Sequence, residues 1–155
     1  MSGKKTVQIF CRGSQAEHVG SWACILDFQG HRKELSGHMA EGTGERMLLM
    51  AVISGIGALK EPCHVILQVE KEEERERLSG GIRQPAMQKE NQDLWMILRI
   101  QGRKHDLEVA CTRDADTLSQ LQALLGAAEG EYLDINRPRD EDALIQEFTD
   151  GKQTD

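Results

Sequence analysis

Sulfur and imidazole side chains are the first candidates for chemistry in this 155-residue sequence, because both bind transition metals. No two of the four cysteines have the Cys-x-x-Cys spacing, and the five histidines are not at metal-ligand spacing. Each cysteine lies in or beside an apolar stretch, which is typical of a buried free thiol in a reducing compartment. We therefore expect no metal, no cofactor and a cytoplasmic location. The cysteines are Cys11, Cys24, Cys63 and Cys111.

Basic side chains are a second group with possible chemistry, because concentrated Lys and Arg bind phosphate. Arg99, Arg103 and Lys104 lie close together in the sequence, and Arg113 follows them. This cluster predicts a weak nucleic-acid contact, and the alternative is a solvated hairpin or helix end. The formal net charge is −7, and nine of the 26 acidic residues lie from Glu129 onward. Neither half of the chain has the excess of basic residues that a general nucleic-acid binder needs.

Two neighbouring acidic residues, Asp114 and Asp116, are candidates for a different role. Carboxylate oxygens are the ligands that hard divalent cations prefer, so the pair has the chemistry for a metal site. Their position before an apolar stripe favours a helix N-cap instead, because an Asp side chain accepts hydrogen bonds from first-turn backbone N–H groups. We predict a helix over residues 115–128 with Asp116 as its cap.

The elements that would position these residues begin with three strands. Alternating apolar residues predict a strand over residues 6–11, and an apolar run ended by a turn predicts a second over residues 21–28. Residues 32–39 would pair back as a third strand, which gives an antiparallel meander. Thr43 is then the candidate N-cap of a largely buried helix over residues 46–60.

The middle of the chain predicts a parallel strand followed by exposed segments. Residues 63–69 form a near-continuous apolar run, typical of a strand buried on both faces. With the preceding helix this strand completes a βαβ unit. Residues 70–77 hold five acids and three bases, which predicts a solvated helical turn. Residues 79–92 contain two adjacent glycines and a proline, which predicts a mobile loop.

The last third of the chain leaves one arrangement open. Residues 93–112 fit either a helix from Asp93 followed by a strand or a hairpin about Gly102, and the helix-then-strand arrangement is narrowly favoured. We place the domain boundary at residue 130, with residues 131–155 as an acidic C-terminal tail that is flexible or docks on a partner. Three apolar residues in the tail would form one amphipathic turn: Leu144, Ile145 and Phe148.

The order of these elements, together with four short motifs, resembles the bacterial-type ribonuclease H family. Residues 7–14 are similar to the family's first strand, which ends in Asp-Gly-Ser, and residues 44–51 to its Asn-Asn-Arg-Met-Glu-Leu-Met-Ala helix start. Residues 58–67 resemble the end of that helix and the fourth strand, and residues 93–95 match the Asp-Leu-Trp of a later helix. The resemblance implies an α/β ribonuclease H-like fold. Its mixed five-stranded sheet has three antiparallel strands, then parallel strands, and is flanked by helices.

The resemblance also implies a catalytic pattern, from which this sequence departs. The family hydrolyses RNA with four carboxylates around two divalent ions. The first-strand aspartate falls at Arg12, the helix glutamate at Leu48 and the fourth-strand aspartate at Glu70. The last-helix aspartate falls at Ser119 or Gln122. At most one acid is retained, and an arginine brings a fixed positive charge to the expected cation position.

The same carry-over predicts a charge pair between Arg12 and Glu70 that Leu48 covers from water. The family's two asparagines, which read RNA 2′-hydroxyls, fall at Gly44 and Glu45. The lysine-rich substrate handle of the family lies where this chain has its acidic run and a shorter loop.

The replaced ligands lead to a catalytically inactive ribonuclease H-like domain as the first interpretation. It would serve as a binding or scaffolding subunit, more for a protein partner in a nucleoprotein assembly than for a hybrid duplex. The alternative is an active ribonuclease H that hydrolyses the RNA strand of RNA–DNA hybrids with divalent metal held by Glu70, Asp114 and Asp116. No apolar run is long enough to span a membrane, so no membrane partner is expected. The predicted binding residues are Arg12, Glu70, Arg99, Arg103, Lys104 and Arg113.

Overall fold

The computed structural model describes residues 3–135, which form a five-stranded sheet flanked by four α-helices. The strands are β1 (Lys5–Ala16), β2 (Val19–Phe28), β3 (His31–Ala40), β4 (Cys63–Val69) and β5 (Asp106–Cys111). The helices are α1 (Gly44–Gly57), α2 (Glu72–Arg83), α3 (Gln92–Lys104) and α4 (Ala115–Ile135), with a 3-10 turn at Pro85–Met87. No helix among these residues is long and apolar enough to cross a membrane.

The sheet has the strand order β3-β2-β1-β4-β5. Neighbouring strands among β1 to β3 are antiparallel, whereas β4 pairs in parallel with both β1 and β5. The predicted mixed sheet is therefore confirmed. Gln29 and Gly30 join β2 to β3 with positive φ angles of 53° and 87°. Two-residue turns of this kind match the twist of the flanking strands and fix the register of the hairpin.

Both faces of the sheet bury apolar side chains, because successive residues of a strand point to opposite faces. On β1, Ile9 packs in the larger cluster, which also holds residues of α1, α2 and α3. The next residue, Phe10, packs on the other face with Leu121 and Leu125 of α4. The sheet is consequently the middle layer between three helices and one.

Helix α1 lies very close to the sheet. Its N-cap is Thr43, as predicted, and the threonine side chain accepts a hydrogen bond from the Arg46 backbone N–H at 3.2 Å. A Cβ atom at Gly55 would lie 2.7 Å from Cγ2 of Ile9 and 3.3 Å from Sγ of Cys24. The glycine inside this helix therefore permits the close approach of helix to sheet.

The predicted mobile loop over residues 79–92 is wrong for its first half. Helix α2 continues to Arg83 and the 3-10 turn follows it. A Cβ atom at Gly81 would lie 2.1 Å from the ring of Trp95 in α3. The adjacent glycines thus mark a tight contact between two helices, and the sequence pattern alone is the same for a contact and for a flexible turn.

The structure resolves the choice for residues 93–112 in favour of a helix followed by a strand. Helix α3 buries Leu94, Trp95 and Leu98 in the core cluster beside α1 and α2, and β5 pairs in parallel with β4. A hairpin about Gly102 would have left this apolar face without a partner.

Helix α4 differs from the prediction at both ends. Its N-terminal side-chain bonds come from Asp114, whose Oδ1 accepts from the backbone N–H of Asp116 and Thr117, so Asp116 is not the cap. The helix runs through Gly130 to Ile135 instead of ending near residue 128. The domain boundary at residue 130 stays a prediction. The three apolar tail residues lie outside the described part of the chain: Leu144, Ile145 and Phe148.

The four cysteines are free thiols, as expected. Three are buried in strands, and Cys111 is half-buried at the end of β5. Burial raises the pKa of Cys24 to about 12, so this thiol stays protonated at neutral pH.

Candidate nucleic-acid interface

The candidate residues lie at two opposite ends of the strands. We call the end where β4 and β5 finish the carboxyl edge of the sheet, and the end where they begin the amino edge. At the carboxyl edge, where β4 and β5 end, Arg12 and Glu70 extend from neighbouring parallel strands. Phe10 of β1 pairs with Gln68 of β4, so the two charged residues occupy the next matching positions. Nη2 of Arg12 lies 3.3 Å from Oε1 of Glu70, which is the charge pair that the sequence predicts.

The pair is not covered from water, contrary to the sequence-based expectation. The side chain of Arg12 is 27% exposed and that of Glu70 is 36% exposed. Leu48 is buried in the core cluster on the side of the sheet that α1, α2 and α3 cover, and its burial leaves both charged side chains partly exposed. Partly exposed ion pairs contribute about 0–1 kcal/mol, so a competing anion can take the guanidinium from the carboxylate.

Backbone contact between β1 and α1 shapes this edge. A Cβ atom at Gly13 would lie 2.3 Å from the backbone nitrogen of Leu48. Gly13 lies inside β1, and the close packing of α1 requires a residue without a side chain there. A cleft of about 300 Å³ opens beside this contact and is lined by Ser14, Gly44, Glu45, Lys71, Arg77 and Trp95, among others.

Around the cleft, three further arginines are each paired with a carboxylate. Arg46 binds Asp93 through two hydrogen bonds of 3.0 and 2.7 Å. Arg75 pairs with Glu72, and Arg77 pairs with Glu45. The hydrogen bond from Arg46 lowers the pKa of Asp93 to about 2, and the bond from Arg75 lowers that of Glu72 to about 2. The guanidinium groups of these arginines are therefore already hydrogen-bonded to carboxylates, and an incoming anion must compete with them.

The carboxylates at this edge do not form the divalent-metal site that the family pattern implies. Glu70 is the single acid at the four carried-over positions, and Arg12 pairs with it. Asp114 accepts a hydrogen bond from the hydroxyl of Thr117 at 2.9 Å, so it serves the start of α4. Within residues 3–135, no group of three or more His, Cys, Asp or Glu side chains could hold a metal ion. The residues present do not fit a two-metal centre.

The basic cluster predicted from the sequence is divided by the structure. Arg99, Arg103 and Lys104 lie at the amino edge of the sheet, where β4 and β5 begin, because α3 ends just before β5. Arg113 follows β5 and lies at the carboxyl edge. Since β5 has six residues, its two ends are about 20 Å apart. The sequence spacing could not reveal this, because a strand between two basic segments separates them by its whole length.

A further basic residue joins the amino-edge group. Arg83, at the end of α2, lines a groove of about 530 Å³ together with Arg99 and Arg103. We call this feature the arginine groove. Sequence reasoning missed Arg83 because residues 79–92 were interpreted as a loop. The sequence signal was a basic residue at the C-terminal end of an acid-rich helical segment, where a positive charge interacts favourably with the helix dipole.

Comparison with solved structures identifies the fold class. Ribonuclease H1 from Halobacterium salinarum matches with a TM-score of 0.65 at 16% identity, covering 81% of this chain and 98% of the other. LC11-ribonuclease H1 in complex with an RNA/DNA hybrid matches with a TM-score of 0.64 at 14% identity, covering 82% and 99%. The meander followed by two parallel strands is thus the ribonuclease H-like fold that the sequence predicts.

Curated relatives give the family, although no family model matches the chain. A ribonuclease H of Chelativorans is 35% identical over 115 residues, covering 65% of this chain and 69% of the relative. A ribonuclease H of Mesorhizobium japonicum is 38% identical over 112 residues, covering 65% and 63%. One of Brucella ovis is 48% identical over 63 residues, covering 41% of each. The chain belongs to the ribonuclease H family, and its match spans less than two thirds of the last two relatives.

These relatives contradict the first interpretation, a catalytically inactive scaffold for a protein partner. They are named ribonuclease H, and no described contact shows that this domain is inactive or that it binds a protein. The replaced carboxylates are a departure from the family pattern and do not by themselves establish a scaffold. The comparisons favour the alternative, a ribonuclease H.

Proposed function

We propose that this protein acts on RNA–DNA hybrids as a ribonuclease H. The observation that carries the proposal is the sequence relation to proteins of that name, which reaches 69% of the length of one relative. A solved ribonuclease H1 with the same fold is described in complex with an RNA/DNA hybrid, which supports a hybrid as the ligand class.

The carboxyl edge offers Arg12 as a phosphate ligand in this proposal. Its present partner, Glu70, is held by one partly exposed ion pair of 3.3 Å. A phosphate group brought in by a hybrid competes for the guanidinium on favourable terms, because Arg–phosphate contacts are strong charge-assisted hydrogen bonds. Transfer of Arg12 to a phosphate leaves Glu70 as a free carboxylate beside the backbone of the bound strand.

Glu70 is then the single carried-over acid available for hydrolysis, and turnover should be slow. Groups that act as a unit in catalysis lose most of the rate when one of them is missing. We derive no step through a divalent ion, because the described side chains do not fit one. The proposal also keeps a cytoplasmic location, which free thiols support.

The test is cleavage of a hybrid with a labelled RNA strand, using protein made in a host that lacks its own ribonuclease H. We expect slow release of RNA fragments from the hybrid in buffer with Mg²⁺ or Mn²⁺, and none from the same RNA as a single strand. The matched control is Glu70→Gln beside Glu34→Gln, an exposed acid on β3. Absence of fragments, or equal cleavage by wild type and Glu70→Gln, would contradict hydrolysis by this site.

A further inference from the structure

Three arginines converge on one groove without an acidic partner. Arg83 comes from the end of α2, and Arg99 and Arg103 come from one side of α3. All three are exposed, and none forms an ion pair or side-chain hydrogen bond with any residue in the range 3–135. The acid that lines the groove, Asp106, is bound to Lys4 at 3.1 Å.

The rest of the groove adds little charge of either sign. Burial lowers the pKa of His105, and its Nδ1 accepts a hydrogen bond from the backbone N–H of Cys63 at 3.0 Å. A neutral imidazole is therefore expected there at neutral pH. No Phe, Trp or Tyr lines the groove, so stacking on nucleic-acid bases is not available. What the groove offers is three guanidinium groups, whose planar forks match phosphate oxygens.

We propose that the arginine groove binds the phosphate backbone of a nucleic-acid strand. The inference rests on the proposed function, because the strand is taken to belong to the hybrid. Contact is with the backbone and independent of base sequence, since the groove lacks both aromatic platforms and a set of mixed donors and acceptors. An unpaired arginine binds phosphate without first breaking an ion pair, whereas the four arginines around the carboxyl-edge cleft must each give up a carboxylate.

The strongest prediction of this proposal concerns salt dependence. Each phosphate contact made by Arg or Lys releases counterions, so the plot of log K against log salt has a negative slope. Loss of two contacts makes this slope less steep by about 1.8. The variant Arg99→Gln/Arg103→Gln should show this change, and adding Arg83→Gln should bring the total to about 2.7. At low salt the affinity of the double variant for hybrid should fall on the order of 10-fold.

The matched control removes the same charge elsewhere. Lys33 and Lys60 are exposed and form no ion pair with a described residue, so Lys33→Gln/Lys60→Gln changes net charge equally and leaves the groove intact. The experiment titrates the full chain with a fluorescent hybrid in EDTA at several KCl concentrations. Thermal midpoints of the variants are measured alongside, and they should match that of the wild type because the substituted side chains are exposed.

The outcomes separate this inference from the proposed function. If wild type binds hybrid and both double variants bind equally well, the groove is not a phosphate site and the proposed function stands. If wild type binds single-stranded DNA through the arginines but shows no binding to hybrid, the groove stands and the proposed function fails. Absence of binding to either nucleic acid would overturn both.

The acidic C-terminal residues offer a competing occupant, which a full-length variant tests. Asp140, Glu141 and Asp142 form an acidic run in the chain. With Asp140→Asn/Glu141→Gln/Asp142→Asn, we expect hybrid affinity to rise equally in the presence and absence of the groove arginines. A rise that occurs only when the arginines are present would show that the acidic run competes with the hybrid for the groove, which also requires the hybrid to bind there, whereas an equally high hybrid affinity with and without the arginines would overturn the proposal.

Discussion

The two edges of the sheet both carry arginines, but they leave them in different electrostatic states. At the carboxyl edge, four arginines around the cleft each face a carboxylate. At the amino edge, the three arginines of the groove have no acidic partner among residues 3–135. The edge that matches the family's catalytic position is therefore electrostatically satisfied, while the opposite edge keeps its positive charge available.

This difference shows that position in the fold and readiness to bind are separate properties. Arg12 and Glu70 lie at positions that the resemblance assigns to catalytic acids, and their charges offset each other. Arg99 and Arg103 lie at positions to which the resemblance assigns no role. Long-range attraction of a phosphate backbone depends on unneutralised charge, so the amino edge should dominate the first encounter.

The largest expected effect is on the free energy of unfolding when a glycine at each edge is replaced by alanine. Gly13→Ala at the carboxyl edge places a Cβ atom 2.3 Å from the backbone of α1, so α1 must shift. We expect the free energy of unfolding to fall by about 3 kcal/mol, as for other overpacked sites. Gly102→Ala at the amino edge meets only an ordinary contact of 3.6 Å with Leu107, and it should raise stability by up to about 1 kcal/mol. Urea unfolding of both variants measures the contrast, and equal changes would contradict it.

A smaller effect is expected when the carboxyl-edge pair is broken. Glu70→Gln removes a negative charge and leaves Arg12 free for phosphate, so hybrid affinity should rise by about 3- to 10-fold at low salt. Glu34→Gln makes the same change of charge on exposed β3 and should leave affinity nearly unchanged. Fluorescence titration in EDTA measures both. A fall in affinity for Glu70→Gln would show that the carboxylate, not the arginine, contacts the bound strand.

The acid dependence of stability should also differ between the edges. The pKa of Asp93 falls from its ordinary 3.8 to about 2 beside Arg46, so its contribution is present above about pH 4 and is lost as pH falls toward 2. Asp93→Asn should flatten the loss of stability in this range. Arg99→Gln should leave it unchanged, because no carboxylate pairs with Arg99. Urea unfolding at a series of pH values measures the slopes, and identical profiles for wild type and Asp93→Asn would contradict the assignment.

The smallest effect is expected from metal ions without nucleic acid. A ligand that binds only the folded state stabilises it by RT ln(1 + [L]/Kd), and the described side chains offer no cluster that would bind a divalent ion tightly. Addition of millimolar Mg²⁺ to the free protein should leave the thermal midpoint unchanged to within about 1 °C. A rise of several degrees that Glu70→Gln abolishes would show that Arg12 yields its place to a cation.

The sequence predicted the elements best where one pattern has one physical meaning. The apolar run at residues 63–69 coincides with β4, because a strand buried on both faces has few polar alternatives. The Thr43 cap was predicted correctly because a threonine just before a helical apolar pattern typically accepts a hydrogen bond from a first-turn backbone N–H. The adjacent glycines after residue 79 led to a wrong prediction of a loop, because a Gly-Gly pair is compatible both with a flexible loop and with a tight contact between helices. Gly81 needed the position of Trp95 to be understood.

The site was predictable in part. The pairing of Arg12 with Glu70 followed from the carried-over strand positions, but its exposure did not, since that depends on how α1 packs. The basic cluster failed as a unit, because a strand separates Arg113 from its other members. The contribution of Arg83 could not be predicted, because it depends on α2 extending to this residue.

The most direct test of the central claim, that this protein works on RNA–DNA hybrids, is a competition measurement. Full-length protein is bound to a fluorescent hybrid in EDTA and displaced by unlabelled hybrid or by DNA duplex of the same sequence and length, at one fixed salt concentration. We predict that the hybrid competes several-fold better than the DNA duplex. Equal competition by the two duplexes, or no binding of the labelled hybrid at low salt, would contradict the account.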